Sequence, residues 1–294
     1  MSIPGFHRSY EVMIMSEESS EPQLAPDQVP QGWSELADVY ERMFQTFTSQ
    51  FAREALKQLD IQAGERVLDV ATGTGSFSLP AAMQGADVLA TDFAAGMIAR
   101  LRERIDEHAL ENIRTEVMDG QALEIADGTF DVSASVVGLI FFPDIEKGMT
   151  ELRRVLKPAG RCAVVCWGEP ETFEMFGYLG KALQQAAPDF EMPQQTPVWA
   201  RLAGHESLHD ELSRAGFNDV KVTTMQGELV VTSPEDYWKE FISSSPPMKI
   251  LYNKIGEERW QRAGEVFTEL LLEKSQGGSC TLTAEACIGI GVAP

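Results

Sequence analysis

The chain has little of several residue types that carry protein chemistry. It holds 4 cysteines and 4 histidines in 294 residues, and no two cysteines form a CxxC pair. Cys162 and Cys166 share one face of the apolar stretch RCAVVCW, while Cys280 and Cys287 lie near the end. Thiols scattered in this way read as buried and inert, not as metal ligands. His205 and His209 are four apart but no HExxH accompanies them, so no metal site is expected. Basic residues are scarce too: 24 Lys and Arg face 45 Asp and Glu, a formal charge of −21. Such a surface repels phosphate backbones, which argues against a nucleic-acid partner. The richest basic cluster, Arg100, Arg102 and Arg104, is interrupted by Glu103 and reads as a solvated helix face. Long hydrophobic runs are absent: VVGLIFF, broken by Gly138, is far too short to span a bilayer. The first fifteen residues lack a sustained apolar core and a cleavage site, so a cytoplasmic protein without a membrane partner is expected.

What is present is a regular alternation of strand and helix. An apolar content of 44% supports a substantial core. Strands are predicted near 66–71, 87–91, 113–118, 130–137 and 161–167, with helices near 76–84, 95–108, 120–126 and 144–156. This is the signature of a doubly wound α/β sheet, whose right-handed crossovers set the strand tips along one ligand-binding edge. Residues 1–31, rich in Glu and Pro, read as a flexible leader. Residues 32–294 then form a single domain, with cap helices at 33–60, a core at 61–167, and a lid and C-terminal region at 168–294. From Ser34 to Leu59 the apolar spacing is helical, through Leu36, Tyr40, Met43, Phe44, Phe47 and Phe51. Beyond Trp167, four prolines among aromatics suggest an irregular cover to Pro197. A helix at 206–215, a strand at 220–231, a helical insertion at 234–274 and a final strand at 280–292 complete the chain.

The chemistry sits at the strand tips. RVLDVATGTGSFSL, Arg66–Leu79, is an apolar strand carrying Asp69, followed by a turn in which Gly73 and Gly75 let a ligand approach the main chain. DVLAT ends at Asp92, placed to accept from a ribose diol, or to cap the next helix. The third strand ends in Asp119-Gly120-Gln121, where an acid can accept from an adenine amino group or simply make an Asp-Gly turn.

These segments together resemble class I S-adenosylmethionine-dependent methyltransferases of the UbiE/type-11 small-molecule group. VLDVATGTG resembles that group's first motif, with Ala71 where many members have Gly. Asp92 matches its ribose-binding acid, Met97 of DFAAGM a residue flanking the adenine, and MDGQAL its adenine-edge motif. FDVSASVVGLIFFPD and RVLKPAGR match its fourth strand and the turn before its fifth. The resemblance, which spans about Val67 to Trp167, implies a seven-stranded Rossmann-like sheet of order 3214576 with strand 7 antiparallel, and helical lid insertions. It also implies S-adenosyl-L-methionine held by Asp69, Ala71, Thr72, Gly73, Gly75, Asp92, Phe93, Met97, Asp119, Gly120, Gln121 and Val136. A nicotinamide loop would read GxGxxG, whereas this one reads ATGTGSF, and no YxxxK pair follows.

The resemblance further implies methyl transfer to a small-molecule acceptor by a monomer or homodimer. A methyl on a sulfonium is already activated, so alignment matters more than a catalytic base. No base stands out: Asp144 of FFPD and Glu169 after Trp167 sit near the active edge, but an Asp after Pro reads as a helix cap. Tyr40, Phe44, Phe141, Trp167, Phe173 and Phe176 are the candidates for an apolar or aromatic acceptor pocket. A nicotinamide oxidoreductase and a non-catalytic cofactor-binding protein are the alternatives.

Overall fold

The computed structural model describes residues 24, 26–190 and 198–294. The predicted leader, 1–31, lies mostly outside them. Regular structure begins before its boundary, however: Pro26–Gln28 form a 3-10 turn and helix α1 runs Pro30–Leu59, starting at a proline whose missing N–H costs a helix nothing there.

Among the described residues seven strands form one sheet: β1 Arg66–Val70, β2 Asp87–Asp92, β3 Ile113–Val117, β4 Phe130–Val136, β5 Leu156–Trp167, β6 Asn218–Val231 and β7 Cys280–Val292. Their order is β3-β2-β1-β4-β5-β7-β6. The first five run parallel, and β7 lies antiparallel between β5 and β6, as the resemblance implies. β1 is the centre of the parallel half. Val67, Leu68 and Val70 are almost wholly buried, which is why that strand reads as a continuous apolar run and not an alternating one.

The helices are α2 Ser78–Met83, α3 Ala95–Glu107, α4 Ile145–Arg154, α5 Glu174–Ala186, α6 His205–Arg214, α7 Pro234–Phe241, α8 Pro246–Ile255 and α9 Glu257–Ser275. α1 packs against α3 and against β5 and β6. It also protects the exposed edge of the sheet. Gln50 Nε2 donates to the Glu228 carbonyl at 2.8 Å and its Oε1 accepts from the Glu228 N–H at 3.1 Å, so one side chain completes both backbone groups of an edge residue. Next to it, Gly227 leaves room for Phe51: a Cβ there would lie 2.4 Å from the ring.

Three expectations are corrected, and one, the helical insertion, is resolved into its parts. The helix predicted at 120–126 is a loop, because side chains take its backbone groups. Asp119 Oδ1 accepts from Gln121 N at 2.8 Å, Glu151 accepts from Leu123 N at 2.8 Å, and Arg154 donates to the carbonyls of Leu123 and Ile125 at 3.0 and 2.7 Å. The irregular cover contains α5, whose Met175, Leu179, Ala182, Leu183 and Ala186 form a buried stripe between the prolines; its residues 191–197 lie outside the described ones. The insertion at 234–274 is three helices, broken before Pro246 and at Gly256 (φ 85°). β5 begins at Leu156, with a register shift between Phe130 and Val132 on β4 absorbing the Lys-Pro-Ala-Gly segment.

Candidate active site

Two cavities meet at the carboxyl edge of the parallel strands. The first, about 410 Å³, is in the range of small-molecule sites. Ten of the twelve cofactor residues implied by the resemblance line it: Ala71, Thr72, Gly73, Asp92, Phe93, Met97, Asp119, Gly120, Gln121 and Val136. Asp69 and Gly75 do not. Gly75, at φ 92°, packs under the loop, where a Cβ would fall 2.5 Å from Leu101. Asp69 braces the loop from behind.

The bracing is a chain of hydroxyls. Thr72 Oγ1 donates to Asp69 Oδ2 at 2.6 Å, which leaves the Thr72 oxygen to accept from Ser78 Oγ at 2.8 Å. Asp69 Oδ1 is buried without a partner. Burial pushes the Asp69 carboxyl up to about 7, against the pull of the Thr72 bond.

Asp92 performs a double local task. Its Oδ2 accepts from Gly73 N and its Oδ1 from Ala94 N, each at 2.9 Å, so one carboxylate ties the glycine turn to the entry of α3. The cap and cavity readings of Asp92 therefore coexist, and the Gly73 N–H is committed to Asp92 instead of being left for a ligand. Burial raises this carboxyl to about 6, while the two N–H bonds lower it. Among the described residues, Asp92 and Asp119 are the only charged side chains lining the first cavity; Lys, Arg and His are absent from it.

The rim between β1 and β4 is strained. Ala71 (φ 56°) and Val137 (φ 59°) hold left-handed backbone, rare for a non-glycine residue and rarest for a β-branched one. Gly138 must be glycine here, since a Cβ would lie 2.4 Å from the Ala71 Cβ. Behind it, Arg201 donates to the carbonyls of Ile140 and Pro143, both at 3.3 Å, and of Phe142, pinning the turn that carries Phe141.

The second cavity, about 80 Å³, is lined by all six predicted pocket residues: Tyr40, Phe44, Phe141, Trp167, Phe173 and Phe176. It also takes in Trp33, Thr48, Met175, Trp199, Phe241, Ser245 and Met248, which sequence reasoning missed. Trp33 had a readable signal, because it extends the Tyr40–Phe44 stripe by two helical turns; Trp199, Phe241 and Met248 arrive from distant segments and had none. The rings pack edge to face or stacked: Trp33 lies 5.0 Å from Phe141, Phe173 4.7 Å from Phe176, and Phe176 5.0 Å from Trp199. Among the described residues no charged side chain lines this cavity.

The two candidate bases are elsewhere. Asp144 caps α4, accepting from Lys147 N at 2.9 Å, and Glu169 lines neither cavity. His205 bonds the Val222 carbonyl at 3.0 Å, and His209 lies 3.5 Å from Asp210. Among the described residues no group of three or more His, Cys, Asp or Glu side chains is arranged to hold a metal, and no helix is long and apolar enough to cross a membrane.

The strand order, the antiparallel seventh strand and acids at or just past the first three strand tips are the arrangement that the resemblance to class I methyltransferases implies. Residues 67–160 match the model of a family described as a methyltransferase domain. An uncharacterised protein of Mycobacterium tuberculosis is 38% identical over 128 residues, 44% of this chain and 44% of that protein. A second Mycobacterium tuberculosis protein is 33% identical over 187 residues, 62% of this chain and 65% of that protein, so the chain spans less than two thirds of the length of these relatives. A demethylmenaquinone methyltransferase of Bacteroides fragilis is 29% identical over 213 residues, 66% of this chain and 86% of that protein. The crystal structure of the YcgJ protein from Bacillus subtilis shares the fold, with a TM-score of 0.55 and 18% identity over 82% of this chain and 97% of that one.

Proposed function

We propose that the protein is an S-adenosyl-L-methionine-dependent methyltransferase acting on a small, neutral, apolar or aromatic acceptor. The observation that carries this is the charge of the paired cavities: carboxylates on the cofactor side and, among the described residues, no cationic side chain on either side. A nicotinamide dinucleotide would bring a pyrophosphate to a wall that offers it two acids. A donor carrying an ammonium and a sulfonium fits that wall.

When bound, S-adenosylmethionine supplies a methyl group already activated by positive sulfur. The chain's own residues then bind and align. Asp92 keeps lone pairs beyond those used by Gly73 and Ala94, and these take the ribose hydroxyls. Asp119 and Gln121 meet the adenine edge, held in place because Gln121 Oε1 accepts from Asp144 N at 2.9 Å. Phe93, Met97 and Phe142 supply apolar surface for the base. Asp69, behind the loop, holds the Thr72 hydroxyl and so the turn that faces the donor, and its charge acts on the ammonium group through that turn. On this reading α1 caps the cofactor, residues 61–167 hold it, and 168–294 complete the acceptor side. A small neutral acceptor suits a cytoplasmic enzyme, monomeric or homodimeric.

Incubation with isotopically methyl-labelled S-adenosylmethionine and neutral aromatic alcohols, amines and thiols tests the proposal. Label is expected in one of these classes; label only in benzoates or phosphate esters would contradict it. A pH prediction follows from the buried acids. Their folded values, about 7 and about 6, stand above the ordinary carboxylate range, so the stability they contribute is complete below about pH 4 and lost as pH rises through 6 and 7. A cationic ligand instead needs them ionised. Affinity for S-adenosylmethionine is therefore expected to climb between pH 5 and 7, approaching tenfold per unit for each proton released. A flat affinity profile would show that neither acid faces the ligand's charge.

A further inference from the structure

We propose that the groove between α7, α8 and α9 is a second ligand site, which takes a small hydroxylated ammonium ion. It does not depend on the reaction that the two cavities at the strand tips support. The groove encloses about 570 Å³, within the range of small-molecule sites, and shares no lining residue with either of those cavities. Its floor is aromatic: Trp238 of α7 and Trp260 of α9 stack with ring centroids 4.5 Å apart, and Tyr252 of α8 meets Trp260 edge to face at 5.7 Å. Its rim is acidic. Glu257, Glu265 and Glu269 recur on one stripe of α9, at separations of eight and four residues, and Glu235 stands on α7. Among the described residues the only cationic side chain lining the groove is Lys239, already paired with Glu235 at 2.9 Å and Asp236 at 3.1 Å.

Two independent observations point to an occupant. Trp238 is only 6% exposed, and among the described residues its Nε1 has no hydrogen-bond partner. That nitrogen lies against Gly264, which lines the same groove: a Cβ there would stand 2.3 Å from Nε1, so glycine is what lets the indole N–H reach this part of the wall. A buried donor left unpaired is destabilising, and an acceptor atom carried by an occupant removes that cost. The second observation is at the rim. Glu265 and Glu269 make no hydrogen bond or ion pair among the described residues, although like charges four apart on a helix repel. A cation beside them relieves the repulsion, and the indole and phenol rings attract the same charge. A positive charge at the rim and an oxygen acceptor at the floor together describe an ammonium ion bearing a hydroxyl group. The excess of carboxylates over the one lysine turns anions away.

Three isosteric probes test this on the full chain at low ionic strength: choline; neohexyl alcohol, in which carbon replaces the charged nitrogen; and propyltrimethylammonium, in which methyl replaces the hydroxyl. Affinities are read by calorimetry and the place of binding by the indole N–H resonance of Trp238. Choline is expected to move that resonance and to bind about tenfold tighter than neohexyl alcohol and about fivefold tighter than propyltrimethylammonium. In the double variant Glu265→Gln, Glu269→Gln, the preference for choline over neohexyl alcohol is expected to shrink severalfold. In Trp238→Phe the preference for choline over propyltrimethylammonium is expected to fall to near one while the preference for a cation stays. A general loosening of the helices weakens all three probes together and leaves these ratios unmoved. Equal binding of choline and neohexyl alcohol, ratios unchanged in both variants, or a Trp238 resonance that answers to a lysine-rich peptide and not to choline would each overturn the assignment.

Discussion

Asp92→Ala is expected to raise the dissociation constant for S-adenosylhomocysteine about 100-fold while leaving the protein folded. The ribose diol loses two bonds to a charged acceptor, each worth roughly 1.5 kcal/mol or more, and every 1.4 kcal/mol is a factor of ten in affinity. Folding responds less, because two local effects oppose each other. Removing the carboxylate leaves the N–H groups of Gly73 and Ala94 without their acceptor. It also relieves a carboxylate whose ionisation burial resists, as its raised value shows. Asp92→Asn separates the two contributions. An amide presents one oxygen and one NH2, so it must turn a donor against one of the two backbone N–H groups, and it is expected to lose affinity as well. Calorimetry of both variants beside their melting curves checks this. Unchanged affinity in Asp92→Ala would remove the ribose role and leave Asp92 a purely structural tie.

The second large effect is expected at a contact far from any reacting atom. At Gly96, on the first turn of α3, a Cβ would stand 2.3 Å from the Ser34 carbonyl oxygen and 2.6 Å from its Cα. Both are backbone atoms of α1, so neither can swing aside. Gly96→Ala must push α1 off α3, breaking the 3.2 Å bond from Gly96 N to Ser34 Oγ. Overpacking of this kind costs roughly 1–3 kcal/mol. A loss of several degrees in melting temperature is expected, at about 2–4 °C per kcal/mol for a chain of this size class. Because α1 carries Trp33 and Tyr40, which line both cavities, the same shift opens the cofactor wall, and at least a tenfold loss of S-adenosylhomocysteine affinity should accompany it. Gly177→Ala is the control: nothing lies within 4 Å of its built Cβ, and alanine suits the interior of α5 better than glycine. A Gly96→Ala protein that melts and binds like the native one would show that α1 is not a working part of the site.

Much of this was legible in the sequence because it is local. Asp69, Asp92 and Asp119 announce themselves by recurring at strand ends, and a strand buried on both faces writes itself as a run such as Val67-Leu68-Asp69-Val70. The helical stripe through Tyr40, Phe44 and Phe47 is likewise a matter of spacing. What was not legible depends on partners distant in the chain. The loop at 120–126 looks helical until Glu151 and Arg154 are seen taking its backbone groups. Gly75 and Asp69 belong to the loop motif, yet their burial behind it depends on Leu101 and Ser78. The aromatic cavity drew its missing members, Trp199, Phe241 and Met248, from segments whose placement only the folded chain decides.

The central claim is that the cavity at the strand tips, lined by Asp92 and Asp119 and by none of the described Lys, Arg or His side chains, is built for a sulfonium nucleoside. Calorimetric titration of the native protein with S-adenosylmethionine, S-adenosylhomocysteine and NADPH at pH 7.5 tests it most directly. The account predicts one saturable site for both sulfur nucleosides and no heat from NADPH. Binding of NADPH, or no binding of either sulfur nucleoside, would contradict it.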